Sequence, residues 1–225
     1  MTIVTVHPRL LKILEQRCFF LFLALLALLI AVPFLSGTVY GRVLIGFVNV
    51  IVLVTAVAAV ASSRLSFVVA VLMGLPTLGF QILALQSGSL GHFALYWGFG
   101  AVFYAFTLVH LLQYVLRRDM MTADKLYGAV AAYIMIAILW AFLYGVLEYF
   151  YPGAFAFNGT PKALNVAELI YFSFTALTTA GFGDITPVLI QSRFLTILET
   201  VTGVMYVAIL IARLTGVYPV VTKKP

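Results

Sequence analysis

The sequence predicts an all-α integral membrane fold. It has six transmembrane helices and, between the fifth and sixth, a re-entrant half-length helix followed by a glycine-rich loop. Three observations predict it. Of 225 residues, 64% are hydrophobic and 9% charged, at a mean hydropathy of +1.15, whereas soluble domains carry about 25% charged residues. Six apolar runs reach the roughly 20 residues that cross a bilayer. A further apolar segment, 166–178, is too short to cross and ends in a Gly-x-Gly triplet.

The runs lie near 18–36, 43–62, 65–87, 92–116, 127–150 and 192–217. Ser36-Gly37-Thr38 closes the first, and Ser62-Ser63-Arg64 separates the second from the third. Gln86-Ser87-Gly88-Ser89 separates the third from the fourth. Arg117-Arg118-Asp119 through Lys125 is the most charged connector, and Tyr151-Pro152-Gly153 ends the fifth run. Pro33 and Pro76 fall inside or near the ends of runs, where proline kinks a helix. The run from Phe19 has no small-residue cleavage site after it and reads as a retained span, not a signal peptide.

Orientation follows from the basic residues, which concentrate on the cytoplasmic side of a membrane protein. With the N-terminus inside, six crossings place Arg9, Lys12, Arg17, Arg64, Arg117, Arg118, Lys125, Arg213, Lys223 and Lys224 inside, ten of the thirteen Lys and Arg. Arg42, Lys162 and Arg193 fall outside. The net charge of +6 is thus read as topology, not as a nucleic-acid footprint. Both termini are expected in the cytoplasm of a multi-pass protein of the cell membrane. Cys18 cannot form an intrachain disulfide, since it is the single cysteine, and is expected simply to pack. His7, His92 and His110 are scattered, and no metal-ligand spacing or cofactor motif occurs.

The segment after the fifth run is the most specific. Asn165-Val166-Ala167-Glu168 has the form of a capping box and starts a helix. From Val166 to Thr178 there is room for roughly 20 Å of helix, against a bilayer core of roughly 30 Å. Then comes Thr178-Thr179-Ala180-Gly181-Phe182-Gly183-Asp184, with Pro187 beyond. A Gly-x-Gly triplet alone marks no more than a tight turn. Between two long apolar runs, after a half-length helix, it reads as a re-entrant loop, and such backbone survives at membrane depth only where protein buries it or water wets it. Glycines at alternate positions permit left-handed dihedrals.

This stretch closely resembles the selectivity-filter signature of potassium channels, Thr-x-Gly-Tyr/Phe-Gly-Asp. The resemblance extends over about Tyr127 to Tyr218: outer helix, pore helix, filter, inner helix. It implies that Thr179, Ala180, Gly181, Phe182 and Gly183 present oxygens that replace the hydration shell of K⁺, the permeant ion. Tyr171 and Phe172 occupy the family's aromatic cuff, and Tyr171 is expected to donate its hydroxyl to Asp184 at the outer mouth. Thr175 and Thr178 stand behind the filter. Arg193 matches a basic residue at the outer start of the inner helix, and Gly203 the inner-helix hinge. One filter segment per chain implies a homotetramer in a lipid bilayer. Ala180 and Phe182 depart from the commoner Val and Tyr, which leaves a non-selective cation channel as the alternative reading.

The inner helix at helical spacing would line the path with Val204, Val207, Ala208, Ile211 and Thr215, and the resemblance implies a cytoplasmic constriction near Thr215 to Pro219. Residues 1–120 form a four-helix scaffold and 121–225 the pore domain. The fourth run carries no Lys or Arg between His92 and Leu116, so it lacks the charges of a voltage sensor. Its aromatics Tyr96, Trp97, Phe99, Phe103, Tyr104 and Phe106 are expected to pack, with a ligand site as the weaker reading. Ala56, Ala58, Ala59, Ala61 and Ser62 offer small surfaces for helix contact. Glu199 lies inside the last run. It is read first as a strut to Ser173, Thr175 or Thr178, and second as a proton-titrated site that couples pH to gating. No paired catalytic acids or nucleotide loop support an enzyme. Seven residues follow Tyr218, so no cytoplasmic ligand-binding domain is expected.

Overall fold

The computed structural model describes residues 16–35, 39–60, 64–117 and 120–216. Ser36, Gly37, Thr38, Ala61, Ser62, Ser63, Arg118, Asp119 and everything before 16 or after 216 lie outside the described residues, and so do Arg9, Lys12, Pro219, Lys223 and Lys224. In chain order the elements are α1 (Arg17–Leu35), α2 (Val39–Val60), α3 (Arg64–Ser87), α4 (Leu90–Val115), α5 (Ala123–Phe150), β1 (Phe155–Phe157), β2 (Thr160–Pro161), α6 (Val166–Leu177), β3 (Ile185–Pro187) and α7 (Ile190–Gly216). Each apolar run of the sequence becomes a helix, with ends shifted by a few residues. Among the described residues, five helices are long and apolar enough to cross a membrane. They are α1, α4, α5, α7 and the Ser66–Ser87 part of α3, while α2 contributes the apolar stretch Leu44–Ala59. Pro33 and Pro76 both lie within helices, α1 and α3.

The all-α expectation needs one correction. A small antiparallel sheet of order β2-β1-β3 joins the stretch between α5 and α6 to the stretch between α6 and α7. Its hairpin turns on Asn158 (φ 47°) and Gly159 (φ 79°), both left-handed. Asn-Gly is the residue pair that a two-residue turn of this kind favours. β1 also pairs with β3, Ala156 opposite Thr186 and Phe157 opposite Ile185.

The helices interlock through glycine notches. A Cβ on Gly100 of α4 would lie 2.1 Å from the Phe142 ring, and one on Gly145 of α5 would lie 2.3 Å from the Trp97 indole. Each helix thus receives the other's aromatic, the close approach that small residues permit in membranes. Tyr96 and Tyr104 also face Phe142, with centroids 5.1 and 5.3 Å away. Of the fourth run's aromatics Tyr96, Trp97, Phe103 and Tyr104 are buried, and the cavity beside Trp97, Phe142 and Ile170 is about 10 Å³, room for about one water. Within the first four helices, Asn49 donates to Gln81 at 2.9 Å and accepts from Tyr104 at 3.5 Å, so buried polar groups of α2, α3 and α4 satisfy one another.

At the end of the bundle where α5 begins, Thr122 caps the helix through the Lys125 amide at 3.3 Å. Asp124 accepts from the Cys18 amide and the Tyr114 hydroxyl, both at 2.9 Å. The Arg117 carbonyl accepts from Lys125 at 3.5 Å and from Arg213 at the end of α7. Cys18 is buried.

Candidate functional site

The site is built on α6. The Asn165 side chain accepts from the Glu168 amide at 3.0 Å and the Glu168 carboxylate accepts from the Asn165 amide at 2.9 Å, the reciprocal box read from the sequence. Lys162 adds an ion pair to Glu168 at 2.5 Å. Twelve residues of helix follow, about 18 Å at 1.5 Å per residue. Thr178 is the C-cap, and its hydroxyl returns to the Phe174 carbonyl at 2.6 Å. Thr175 likewise bonds the Phe172 carbonyl at 2.8 Å.

From there the backbone alternates. Thr179 (φ 61°), Gly181 (φ 52°) and Gly183 (φ 82°) are left-handed, while Ala180 and Phe182 between them are not. Successive peptide planes normally point their carbonyls to opposite sides. Alternating the sign of φ turns them toward one side and makes a concave row of backbone dipoles. Glycine accepts this freely. At Thr179 the conformation costs about 1–2 kcal/mol for an L-residue, a strain that clusters at functional sites. The turn is held by Thr179 N donating to Ala176 O at 3.0 Å and Gly181 N to Thr175 O at 3.1 Å.

The surroundings brace this loop from three sides. The Tyr171 ring stacks on Phe182 with centroids 6.3 Å apart and 7° between planes. Partial desolvation, and then the hydrogen bonding and charge of Asp184, push the Tyr171 phenol up from its ordinary value. Asp184 is itself tied down by its carbonyl, which accepts from the Asn158 amide at 2.8 Å. Phe172 is buried in a trio with Tyr144 and Phe155, centroids 5.2 and 5.1 Å away. On the third side is α7. Ser192 donates to the Ala154 carbonyl at 2.7 Å, and Arg193 reaches the Pro187 carbonyl at 3.3 Å.

Further along, α7 presents one face to α6. Glu199, fully buried, bonds Ser173; Thr200 reaches the Ala176 carbonyl at 3.3 Å; Gly203 meets Leu177. Spacing of three and four residues on both helices makes this a face-to-face seam. A Cβ on Gly203 would lie 2.1 Å from the Leu177 carbonyl oxygen, and the helix runs unbroken through it. The glycine expected as a hinge thus has a packing reason in this conformation. Of the partners named for Glu199, Ser173 is the one it meets; Thr175 and Thr178 bond their own helix. Val204, Val207, Ala208, Ile211 and Thr215 are all exposed, on a surface the chain itself does not cover. So are Phe194, Ile197, Leu198, Val201 and Met205.

Two contributors were not anticipated. Tyr144 of α5 donates to Glu199, and nothing local in the sequence pairs residues 144 and 199. The other is the β1–β2 hairpin, whose sequence signal is the Asn158-Gly159 pair at its turn.

A half-length helix whose end turns into a dipole-lined loop, flanked by an outer and an inner spanning helix, is the architecture of an ion-channel pore. Residues 129–218 match the family described as ion channel. Over 114 residues the chain is 34% identical to the voltage-gated potassium channel Kch of Escherichia coli (strain K12). That alignment takes in 50% of this chain and 25% of the relative, so the chain spans about a quarter of the relative's length. No solved structure matches. The resemblance to potassium channels read from the filter segment is upheld. The protein is a multi-pass membrane protein, and its residues 129–218 are similar to an ion channel.

Proposed function

We propose that four copies of the chain form a K⁺-selective pore that conducts passively and is not steeply voltage dependent. The observation that carries this reading is the alternation of left-handed backbone at Thr179, Gly181 and Gly183 directly after α6. Four such loops around an axis would ring a dehydrated monovalent cation with carbonyls from Thr179 to Gly183 and a Thr179 hydroxyl. The C-terminus of α6 points its partial negative charge the same way, favouring cations, and Asp184 would concentrate them at the outer mouth. Tyr171, Phe172, Thr175, Thr178 and Glu199 would hold the loop from behind. Val204, Val207, Ala208, Ile211 and Thr215 would line the cavity, with Gly203 as the pivot of the inner helix. The apolar surface of α7 left bare by its own chain supports an oligomer, since such a face needs partners.

In this reading six helices cross the cell membrane with both termini cytoplasmic, as the basic residues favour. Residues 1–120 form a scaffold that docks on the pore domain, 121–225, of the same chain; the notches at Gly100 and Gly145 support this. The scaffold's α4 has no Lys or Arg from Leu90 to Val115, which removes the charges a voltage sensor moves. A non-selective cation pore is the second reading, favoured by Phe182, whose side chain is 72% exposed and lacks a hydroxyl to anchor it. Purified protein in liposomes, loaded with K⁺ and diluted into a K⁺-free medium, tests the proposal. Dye-reported K⁺ efflux is expected. Liposomes as tight as empty ones would refute conduction.

A further inference from the structure

Behind α6 lies a buried chain of oxygens whose protons can be counted. The Tyr144 hydroxyl of α5 meets one oxygen of the Glu199 carboxyl. The other carboxyl oxygen meets the Ser173 hydroxyl of α6. Ser173 Oγ also meets the backbone carbonyl of Ala137, on α5, at 2.6 Å. These are three oxygen–oxygen contacts, and each needs one hydrogen. Tyr144 and Ser173 supply one each. A carbonyl only accepts, so the Ser173 hydrogen belongs to the contact with Ala137. Nothing is then left for the contact between Ser173 and Glu199 unless the carboxyl brings its own.

From this count we infer that Glu199 is a neutral carboxylic acid at neutral pH and donates its proton to Ser173. The chain of donation then runs one way: Tyr144 to Glu199, Glu199 to Ser173, Ser173 to Ala137. Every buried polar atom in it is satisfied, as burial requires. An ionised carboxylate would leave two oxygens facing each other without a hydrogen, a penalty of about 1–3 kcal/mol for the unmet group and more with a charge. The surroundings agree. Glu199 is fully buried, and among the described residues no cation pairs with it. The groups facing it are Tyr144 and Tyr133 of α5 and Ser173 of α6, with Thr196 and Thr200 on its own helix beside it. All are uncharged.

The consequence is a proton-dependent clamp. One acid ties the inner helix α7 to the outer helix α5 and to α6, which carries the filter loop. Removing its proton breaks the link to α6 first, because Ser173 cannot serve two acceptors. As a statement about filter control this rests on the proposed function; as a statement about the proton it does not. Glu199 is a positioning residue here, since it lies behind α6 and reaches the loop only through it.

Infrared spectroscopy of the full-length protein in lipid, wild type minus Glu199→Gln at neutral pH, tests the assignment. The expected difference is a protonated carboxylic-acid carbonyl band that shifts on deuteration. Carboxylate stretches in its place would overturn the inference. Ser173→Ala, which keeps the carboxyl but removes its acceptor, is expected to shift that band; an unmoved band would equally overturn it. Thermal melting of the oligomer adds a second measure. Glutamine reproduces the acid's pattern, with an amide N–H toward Ser173 and a carbonyl toward Tyr144, so Glu199→Gln is expected to melt with the wild type and Glu199→Ala several degrees lower. A Gln variant as unstable as Ala would show that the negative charge is required. Since the spectrum reads the proton whether or not the protein conducts, a failed flux assay with the acid band present refutes the pore and leaves the clamp standing.

Discussion

Replacing Gly203 by alanine separates packing from helix propensity. On propensity alone, alanine in the middle of α7 stabilises by about 1 kcal/mol. The structure argues the opposite sign. The new methyl would sit 2.1 Å from the Leu177 carbonyl oxygen and 3.0 Å from its carbon, where ordinary contact begins at 3.4 Å, so α7 must move off the end of α6 by about 1.3 Å. Leu177 ends α6 and its carbonyl is backbone, so no rotamer change relieves the clash. Overpacking of this kind costs about 1–3 kcal/mol, and the displacement also lengthens the 3.3 Å contact from Thr200 to the Ala176 carbonyl. The net expectation is a loss of up to about 2 kcal/mol per chain once the propensity gain is subtracted. Thermal unfolding of the purified protein, followed by loss of the folded species on a sizing column, measures it. Gly203→Ala should melt below wild type. A variant that melts at or above wild type would mean that the seam between α6 and α7 is not as tight as described.

Three further expectations follow from other parts of the molecule. Tyr171→Phe removes the hydroxyl beside Asp184 but keeps the ring stacked on Phe182; macroscopic currents should decay faster during sustained opening, and unchanged decay would remove Tyr171 from the support of the loop. Gly128→Cys would place a Cβ 3.5 Å from that of Cys18, within the range of about 3.5–4.5 Å that a disulfide needs. Mild oxidation should then give a cross-linked species of single-chain size on a denaturing gel, whereas dimers and larger ladders would mean that the scaffold sits on a neighbour's pore domain. Open probability across a wide voltage range should change shallowly, because each charge moved through the field contributes about 2.3 kcal/mol per 100 mV and α4 holds no Lys or Arg; a steep relation equivalent to several charges per chain would contradict this.

What the sequence could convey here follows the range of the interactions. The spanning helices and the Asn165–Glu168 box are local signals, and both are present in the structure with ends moved by a few residues. The two glycines of the loop were legible as left-handed positions because glycine is the residue that tolerates them. Thr179 was not, since a threonine at positive φ has no sequence mark and is imposed by the carbonyls of Thr175 and Ala176 that hold the turn. The hairpin at Asn158-Gly159 was legible in principle, for both residues adopt the dihedrals this pair favours. Tyr144 was out of reach, because its bond to Glu199 joins residues 55 apart and depends on how α5 and α7 cross. The notches at Gly100 and Gly145 are of the same kind. A glycine in an apolar run says that something comes close, and only the fold says that it is Phe142 or Trp97.

The central claim is that the loop from Thr179 to Gly183 strips and selects a monovalent cation. Its most direct test is the reversal potential of the reconstituted protein with K⁺ on one side and Na⁺ on the other. A reversal potential displaced strongly in the direction set by K⁺ is expected, and it should collapse when Gly181 is replaced by alanine. A reversal near zero in the wild type would contradict K⁺ selectivity and leave only a general cation path.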